Sequence, residues 1–218
     1  MCCIHRRLYD QKTSGMIVKV CGIVDQENHD GVSRSGVDMI GINFYQPSKR
    51  FIGEKVLTQV SEQDRVGVFV NSSKEEILRA RQVHHLDYAQ LHGDESVELC
   101  MEIQSVIPII KVFRITADFD WAITSDFEFA TYFLFDTFTK VYGGSGKRFD
   151  WSALDNYEGT TPFFLSGGIR PEDVEAVKDI QHQRLIGVDI NSGFEVEPGL
   201  KNIEDVEYFV SALKKRNS

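Results

Sequence analysis

The sequence predicts a single small (β/α)8 barrel. Eight apolar, β-rich runs recur along the chain, with helix-type stretches between them. Several runs are nearly continuous in apolar residues, as strands buried on both faces must be. Eight β–α units fit into roughly 200 residues with no break in composition, and eight is the number that closes this barrel. A doubly wound sheet is the main rival, but nothing in the composition marks a second domain.

The predicted strands are 17–21, 39–44, 66–70, 87–91, 107–114, 132–136, 162–166 and 185–190. The first connection, 26–36, is unusually polar for a helix and contains Gly31. Ser73-Lys74-Glu75-Glu76 has capping-box spacing, which satisfies backbone donors at a helix start. Its far end, His84-His85, reads as a surface helix terminus. Asp94 is expected to cap a helix whose buried stripe is Val97, Cys100 and Ile103. The fifth and sixth connections read weakly as helix, with Trp121 and Trp151 packing there. Pro171 suits a first helical turn ahead of Val174 and Val177. Ile203, Val206, Phe209, Val210 and Leu213 form one apolar face on the last helix.

Composition narrows the function classes. The chain has 218 residues, 42% hydrophobic and 26% charged, which suits a soluble globular protein. Its 24 basic and 33 acidic residues give a net charge of −9, with no Lys/Arg run of the kind a nucleic-acid surface needs. A few local cations and backbone amides can still hold an anion. The four cysteines, Cys2, Cys3, Cys21 and Cys100, show no zinc-type spacing, which points to a reduced, cytoplasmic protein without a metal site. No apolar stretch is long enough to cross a membrane. Residues 1–15 are mostly polar and read as a disordered leader, a cloning remnant or an upstream start, with the catalytic barrel over 16–218.

Sites in this fold are built at the C-terminal strand ends, so chemistry is sought there. Cys21 closes the first run and is followed by Gly22. It reads either as a small buried hydrophobe or as a reactive thiol. Arg50, after the second run, is either a solvated loop charge or a planar fork for a carboxylate. His92, after the fourth, reads as a packed or capping histidine. Asp136 closes the sixth run. It is either an acid or a structural group pairing with Lys140 or Lys147. The loop beyond it carries Gly144, Ser145 and Gly146, which let a backbone approach an anion. Gly167 and Gly168 follow the seventh run, and Ser192 and Gly193 follow the eighth. Paired glycine turns at these two places match the phosphate site common to the fold. Asp189 either positions a substrate hydroxyl or amine, or caps backbone.

The stretches VKVCGI, GINFYQPSKRF, VGVFVN, AQLHGDE, LFDT, YGGSGKRFDW, LSGGIRPEDV and GVDINSGFE followed by PG occur in order from Met16 to the C-terminus. In these stretches the chain closely resembles the phosphoribosylanthranilate isomerases of tryptophan biosynthesis. The resemblance implies a (β/α)8 barrel with neither metal nor organic cofactor. It also implies an Amadori rearrangement of N-(5-phosphoribosyl)anthranilate to a 1-deoxyribulose phosphate. It makes Cys21 the general base, Asp136 the general acid and Arg50 the holder of the anthranilate carboxylate, with the glycine turns on the phosphate. Asp136 should then be partly protonated near neutral pH and Cys21 able to reach the thiolate. A monomer or a homodimer is expected. Val24, Asn43, Asn191 and Phe194 depart from the family's usual residues.

Two other functions are open to such a barrel. The histidine-pathway isomerases perform the same rearrangement but end the first strand in aspartate, against which Cys21 argues. A non-catalytic phosphate-binding scaffold needs neither Cys21 nor Asp136.

Overall fold

In the computed structural model, which describes residues 15–58, 62–136 and 151–215, eight parallel strands close into a barrel. They are β1 (Ile17–Cys21), β2 (Met39–Asn43), β3 (Asp64–Phe69), β4 (Tyr88–Leu91), β5 (Ile109–Arg114), β6 (Tyr132–Asp136), β7 (Phe163–Ser166) and β8 (Leu185–Ile190). They lie in chain order, and β8 returns to β1 with Ile17 opposite Gly187 and Lys19 opposite Asp189. A short antiparallel pair, β9 (Glu195–Glu197) and β10 (Leu200–Lys201), follows the barrel. Residues 1–14 of the expected leader, together with Lys140, Gly144, Ser145, Gly146 and Lys147, lie outside the described residues.

The helices are α1 (Gln26–Arg34), α2 (Lys74–His84), α3 (Val97–Gln104), α4 (Val174–Lys178) and α5 (Ile203–Lys214). The helical layer is thus thinner than eight full β–α units. Among the described residues no helix joins β2 to β3; that segment contains Pro47 and Gly53, and it adds a single bridge between Asn43 and Phe51. The fifth and sixth connections are 3-10 segments, Trp121–Phe127 and Trp151–Asn156, and both tryptophans pack against the core as expected. The capping box at Ser73 is present in both directions. Two local expectations fail. Ser96, not Asp94, caps α3, because its hydroxyl sits at the position from which it accepts the Leu99 N–H. His84 is buried rather than on the surface, edge-on to Phe44 at 4.8 Å, while His85 turns left-handed and ends α2.

Polar α1 is explained by what it binds. Asn28 Nδ2 donates to the Lys201 carbonyl, and the Lys201 N–H donates to Asn28 Oδ1, both at 2.8 Å. This buried amide therefore clamps β10 to α1, where an apolar side chain would leave two backbone groups unmet. Phe194, another departure, is fully buried and stacks edge-to-face on Phe209 of α5. Burying such a ring contributes about 1.5–3 kcal/mol and pins the loop after β8.

Alternation along the strands divides the core in two. Val18, Val20, Phe133 and Phe135 face the helices. Ile17, Tyr132, Leu134 and Phe164 fill the barrel interior with Met39, Val66, Tyr88, Ile110, Val112 and Ile186. The same alternation sends Lys19 and Cys21 inward after Ile17, and Asp136 inward after Leu134. β8 needs a correction to its parity. Its pairing with β7 jumps from Phe163–Leu185 to Phe164–Gly187, so Ile186 is an extra residue. This bulge turns Asp189 inward, where an unbroken strand would send it toward the helices.

Candidate active site

The inward residues at the C-terminal strand ends surround a cavity of about 300 Å³. It brings together Cys21, Arg50, Asp136, Asp189, Gly167, Gly168, Ser192 and Gly193, all legible in the sequence as site candidates. It also takes in Asn43, Gln90, His92 and Asn191. His92, read from the sequence as a packed or capping histidine, lines this cavity, and Gln90 joins a site to which no motif assigns it.

Cys21 is buried, with Gly41 opposite it on β2. A β-carbon on Gly41 would come within 2.7 Å of the thiol sulfur, so the glycine makes the room that Cys21 occupies. Burial pushes the Cys21 thiol up, Lys19 and Lys201 pull it down, and Asp189 adds to the rise. The balance is upward, so the resting group is a thiol.

Lys19 has no place among the candidates read from the sequence, yet it lies at the centre of the barrel. Its Nζ donates to Asp189 Oδ1 at 2.8 Å, with the lysine fully buried. Burial disfavours the ammonium, but Asp189 and Cys21 outweigh it and hold it charged. Burial pushes the Asp189 carboxyl up while Lys19 pulls it down. The two partners thus point different ways. The held ammonium decides the state of the pair, because a charge-assisted hydrogen bond of 2.8 Å is strongest with both partners ionised. Asp189 faces the cavity as the partner of Lys19.

Arg50 is not a free loop charge. Its Nε and Nη2 donate to the two carboxylate oxygens of Glu195, the first at 2.8 Å and the second at 2.5 Å. Lys201 Nζ donates to the same carboxylate at 2.6 Å and to Asn191 Oδ1 at 2.7 Å. Burial resists ionisation of Glu195, but Arg50 and Lys201 outweigh it and hold the carboxyl down to about 2. Asn191, a departure from the usual residue, is thereby tied into the charge network.

The turns after β7 and β8 meet closely. Gly167 and Gly168 have φ of 102° and 67°. A β-carbon on Gly193 would stand 2.2 Å from the Ile169 carbonyl oxygen, so only glycine fits there. Asn43 Oδ1 accepts the Tyr45 N–H at 2.8 Å and its Nδ2 donates to Ser48 Oγ, which shapes the loop carrying Arg50. Val24, the remaining departure, packs against Gly199 and the hydrophobic core.

The family model for N-(5′-phosphoribosyl)anthranilate (PRA) isomerase matches residues 18–212. The chain belongs to that family. A relative named N-(5′-phosphoribosyl)anthranilate isomerase from Parabacteroides distasonis is 45% identical over 207 residues, spanning 91% of this chain and 93% of the relative. One of the same name from Thermotoga maritima is 38% identical over 204 residues, spanning 90% and 98%. The crystal structure of phosphoribosyl anthranilate isomerase from Thermotoga maritima superposes with a TM-score of 0.80 at 35% identity, covering 91% of this chain and 98% of its own. A second isomerase crystal structure, in complex with reduced 1-(o-carboxyphenylamino)-1-deoxyribulose 5-phosphate, matches at a TM-score of 0.77 and 32% identity, with the same coverage. Family membership makes this barrel an isomerase of tryptophan biosynthesis. Among the described residues no group of three or more His, Cys, Asp or Glu side chains is placed to hold a metal ion, and no helix is long and apolar enough to cross a membrane.

Proposed function

We propose that the isomerisation of N-(5′-phosphoribosyl)anthranilate by this chain is divided between Asp136 as general acid and Cys21 as general base. The observation that carries this reading is that both groups point into one cavity, from β6 and β1. Asp136 protonates the ribose ring oxygen as the C1′–O bond breaks, and the anilinic nitrogen supplies the electron pair that forms the Schiff base. Cys21 then removes the C2′ proton through its minor thiolate form, its own proton having passed to solvent and Lys19 and Lys201 favouring the anion. The enolamine so formed tautomerises to the ketone. Each proton transfer of this kind is worth about 10²–10⁴ in rate. The sequence of steps uses proton transfers alone and calls for no organic cofactor.

Arg50 binds the anthranilate carboxylate with the guanidinium edge that Glu195 leaves over. The glycine turns, Gly167 and Gly168 with Ser192 and Gly193, receive the phosphate through backbone amides, joined by Gly144, Ser145 and Gly146. Asp189 meets a substrate hydroxyl or amine while retaining Lys19. The substrate then lies across the barrel mouth, with carboxylate toward β2 and phosphate toward β7 and β8. The enzyme works in the cytoplasm as a monomer or homodimer; a structure matched at a TM-score of 0.77 is described as derived from a dimeric isomerase of Thermotoga maritima.

The deciding experiment is turnover of phosphoribosylanthranilate, followed by the decay of its fluorescence. Binding without turnover would instead support a phosphate-binding scaffold. Turnover of the histidine-pathway aminoaldose alone would support the other isomerase.

A further inference from the structure

Gln90 and His92 stand two residues apart at the end of β4, and both line the cavity. Gln90 is 1% exposed, and its Nε2 lies 3.2 Å from His92 Nδ1. His92 Nε2 lies 3.6 Å from Asp136 Oδ2. The three side chains thus form a line from the buried wall of the barrel to the carboxylate.

We propose that Gln90 and His92 are positioning residues for Asp136: the Gln90 amide fixes the His92 tautomer, and His92 presents its Nε2–H to the Asp136 carboxylate. The inference rests on Asp136 being the general acid. The amide and ring nitrogens follow from the hydrogen-bond pattern. With a Gln90 N–H at Nδ1, that nitrogen accepts, so the neutral ring carries its proton on Nε2. Once Asp136 has given up its proton, the reverse tautomer would aim the Nε2 lone pair at the carboxylate, which is repulsive. Gln90 Oε1 is buried and has no partner among the described residues. Turning the amide over would put its N–H donors in that unpartnered place and leave them unmet, which favours the orientation with Nε2 on His92.

The chain of side chains acts when Asp136 gives up its proton. Negative charge then appears on the carboxylate, and a fixed Nε2–H stabilises it without itself being transferred. The 3.6 Å separation is longer than a hydrogen bond, and catalytic contacts of this kind commonly shorten in the Michaelis complex. The turn carrying His92 is held in place: Arg114 Nη2 donates to the His92 carbonyl at 3.1 Å, and the Gly93 N–H donates to Glu95.

Three measurements test this. The ring-nitrogen NMR shifts of His92 should show the Nε2–H tautomer at neutral pH; an Nδ1–H ring would overturn the proposal without reference to turnover. His92→Ala and His92→Asn should each lower kcat about tenfold or more with KM within about twofold, while His92→Gln, which returns an N–H near the Nε2 position, should recover most of the rate. Gln90→Leu should lower kcat in the parent and add nothing in the His92→Ala background. Losses that multiply, or a His92→Ala enzyme with parental kcat, would overturn the proposal. If His92→Ala is inert while Asp136→Asn is crippled, only the positioning role fails. If Asp136→Asn keeps parental kcat, the general-acid reading fails first.

Discussion

Lys19 and Asp189 form an ion pair of 2.8 Å inside the barrel, one inward position below Cys21 on β1. The pair exists because a bulge at Ile186 changes the parity of β8. Removing one partner strands the other in a buried site, which typically costs about 3–5 kcal/mol. Lys19→Met is therefore expected to lower stability strongly at pH 7. The stranded Asp189 carboxyl would be pushed above its unfolded value by burial. A group raised in this way stabilises the fold below its unfolded pKa, and that contribution is lost as the pH rises. The variant should thus gain stability relative to the parent as the pH falls from about 7 to about 5. Denaturant melts at both values check this, and a pH-independent difference between the two proteins would count against a buried charge.

Cys21→Ala is expected to bind substrate nearly as the parent does and to lose at least ~10² in kcat. Burial holds the Cys21 thiol up, so its alkylation by iodoacetamide should be slow at neutral pH and accelerate only well into alkaline solution. Turnover within a few-fold of the parent would remove Cys21 from the mechanism. Rapid labelling at pH 7 would show that Lys19 and Lys201 outweigh burial after all.

Arg50 and Glu195 make one unit, so both should be felt in KM. Arg50→Met removes a charged contact made in ground and transition states alike, which raises KM more than it lowers kcat. Glu195→Gln should also raise KM, because Arg50 loses the anion that orients it. The stability effect has a defined sign. The Glu195 carboxyl is depressed to about 2, so its contribution is complete above the ordinary glutamate range and is lost as the pH falls from there toward 2. The parent should lose stability in that window faster than Glu195→Gln does. An unchanged KM in both variants would leave Arg50 as the structural partner of Glu195 with no part in holding substrate.

Strand runs at 17–21, 132–136 and 185–190 coincide with β1, β6 and β8, because fully buried strands are written as apolar runs. Cys21, Arg50 and Asp136 are legible as polar groups at or just beyond the ends of such runs. Lys19 has a signal too: a lysine inside a strand buried on both faces must find a counter-charge. The signal is easily lost, because its run is apolar on average. Gln90 carries the same kind of signal. Glu195 and Lys201 carry none, since Glu195 meets Arg50 from 145 residues away and no period connects them. The absence of a helix between β2 and β3 among the described residues is hidden by the count of strands, which does not depend on what joins them.

The two turns of the proposed phosphate site should respond differently to an added methyl group. At Gly168, where φ is 67°, nothing lies within 4 Å of the new β-carbon. Gly168→Ala then costs only the left-handed backbone, about 1–2 kcal/mol. At Gly193 the β-carbon collides with the Ile169 carbonyl, so the β7 and β8 turns must move apart. Gly193→Ala should raise the KM for substrate and the inhibition constant of inorganic phosphate together. Equal effects of the two substitutions on phosphate affinity would argue that the turns are not set by this contact.

Asp136 faces the cavity from the end of β6, with its side chain 20% exposed and His92 at 3.6 Å. As the general acid it must deliver a proton to the ribose ring oxygen. Asparagine preserves its shape but holds no such proton. Asp136→Asn should therefore lower kcat by more than it raises KM, with the melting temperature nearly unchanged. Ring opening is the affected step, so a substrate analogue already in the open-chain form should react with a smaller penalty. The comparison separates a lost acid from a distorted site, because distortion would slow both substrates alike. A variant that keeps near-parental kcat would place the acid elsewhere and leave Asp136 as a structural group at the strand end.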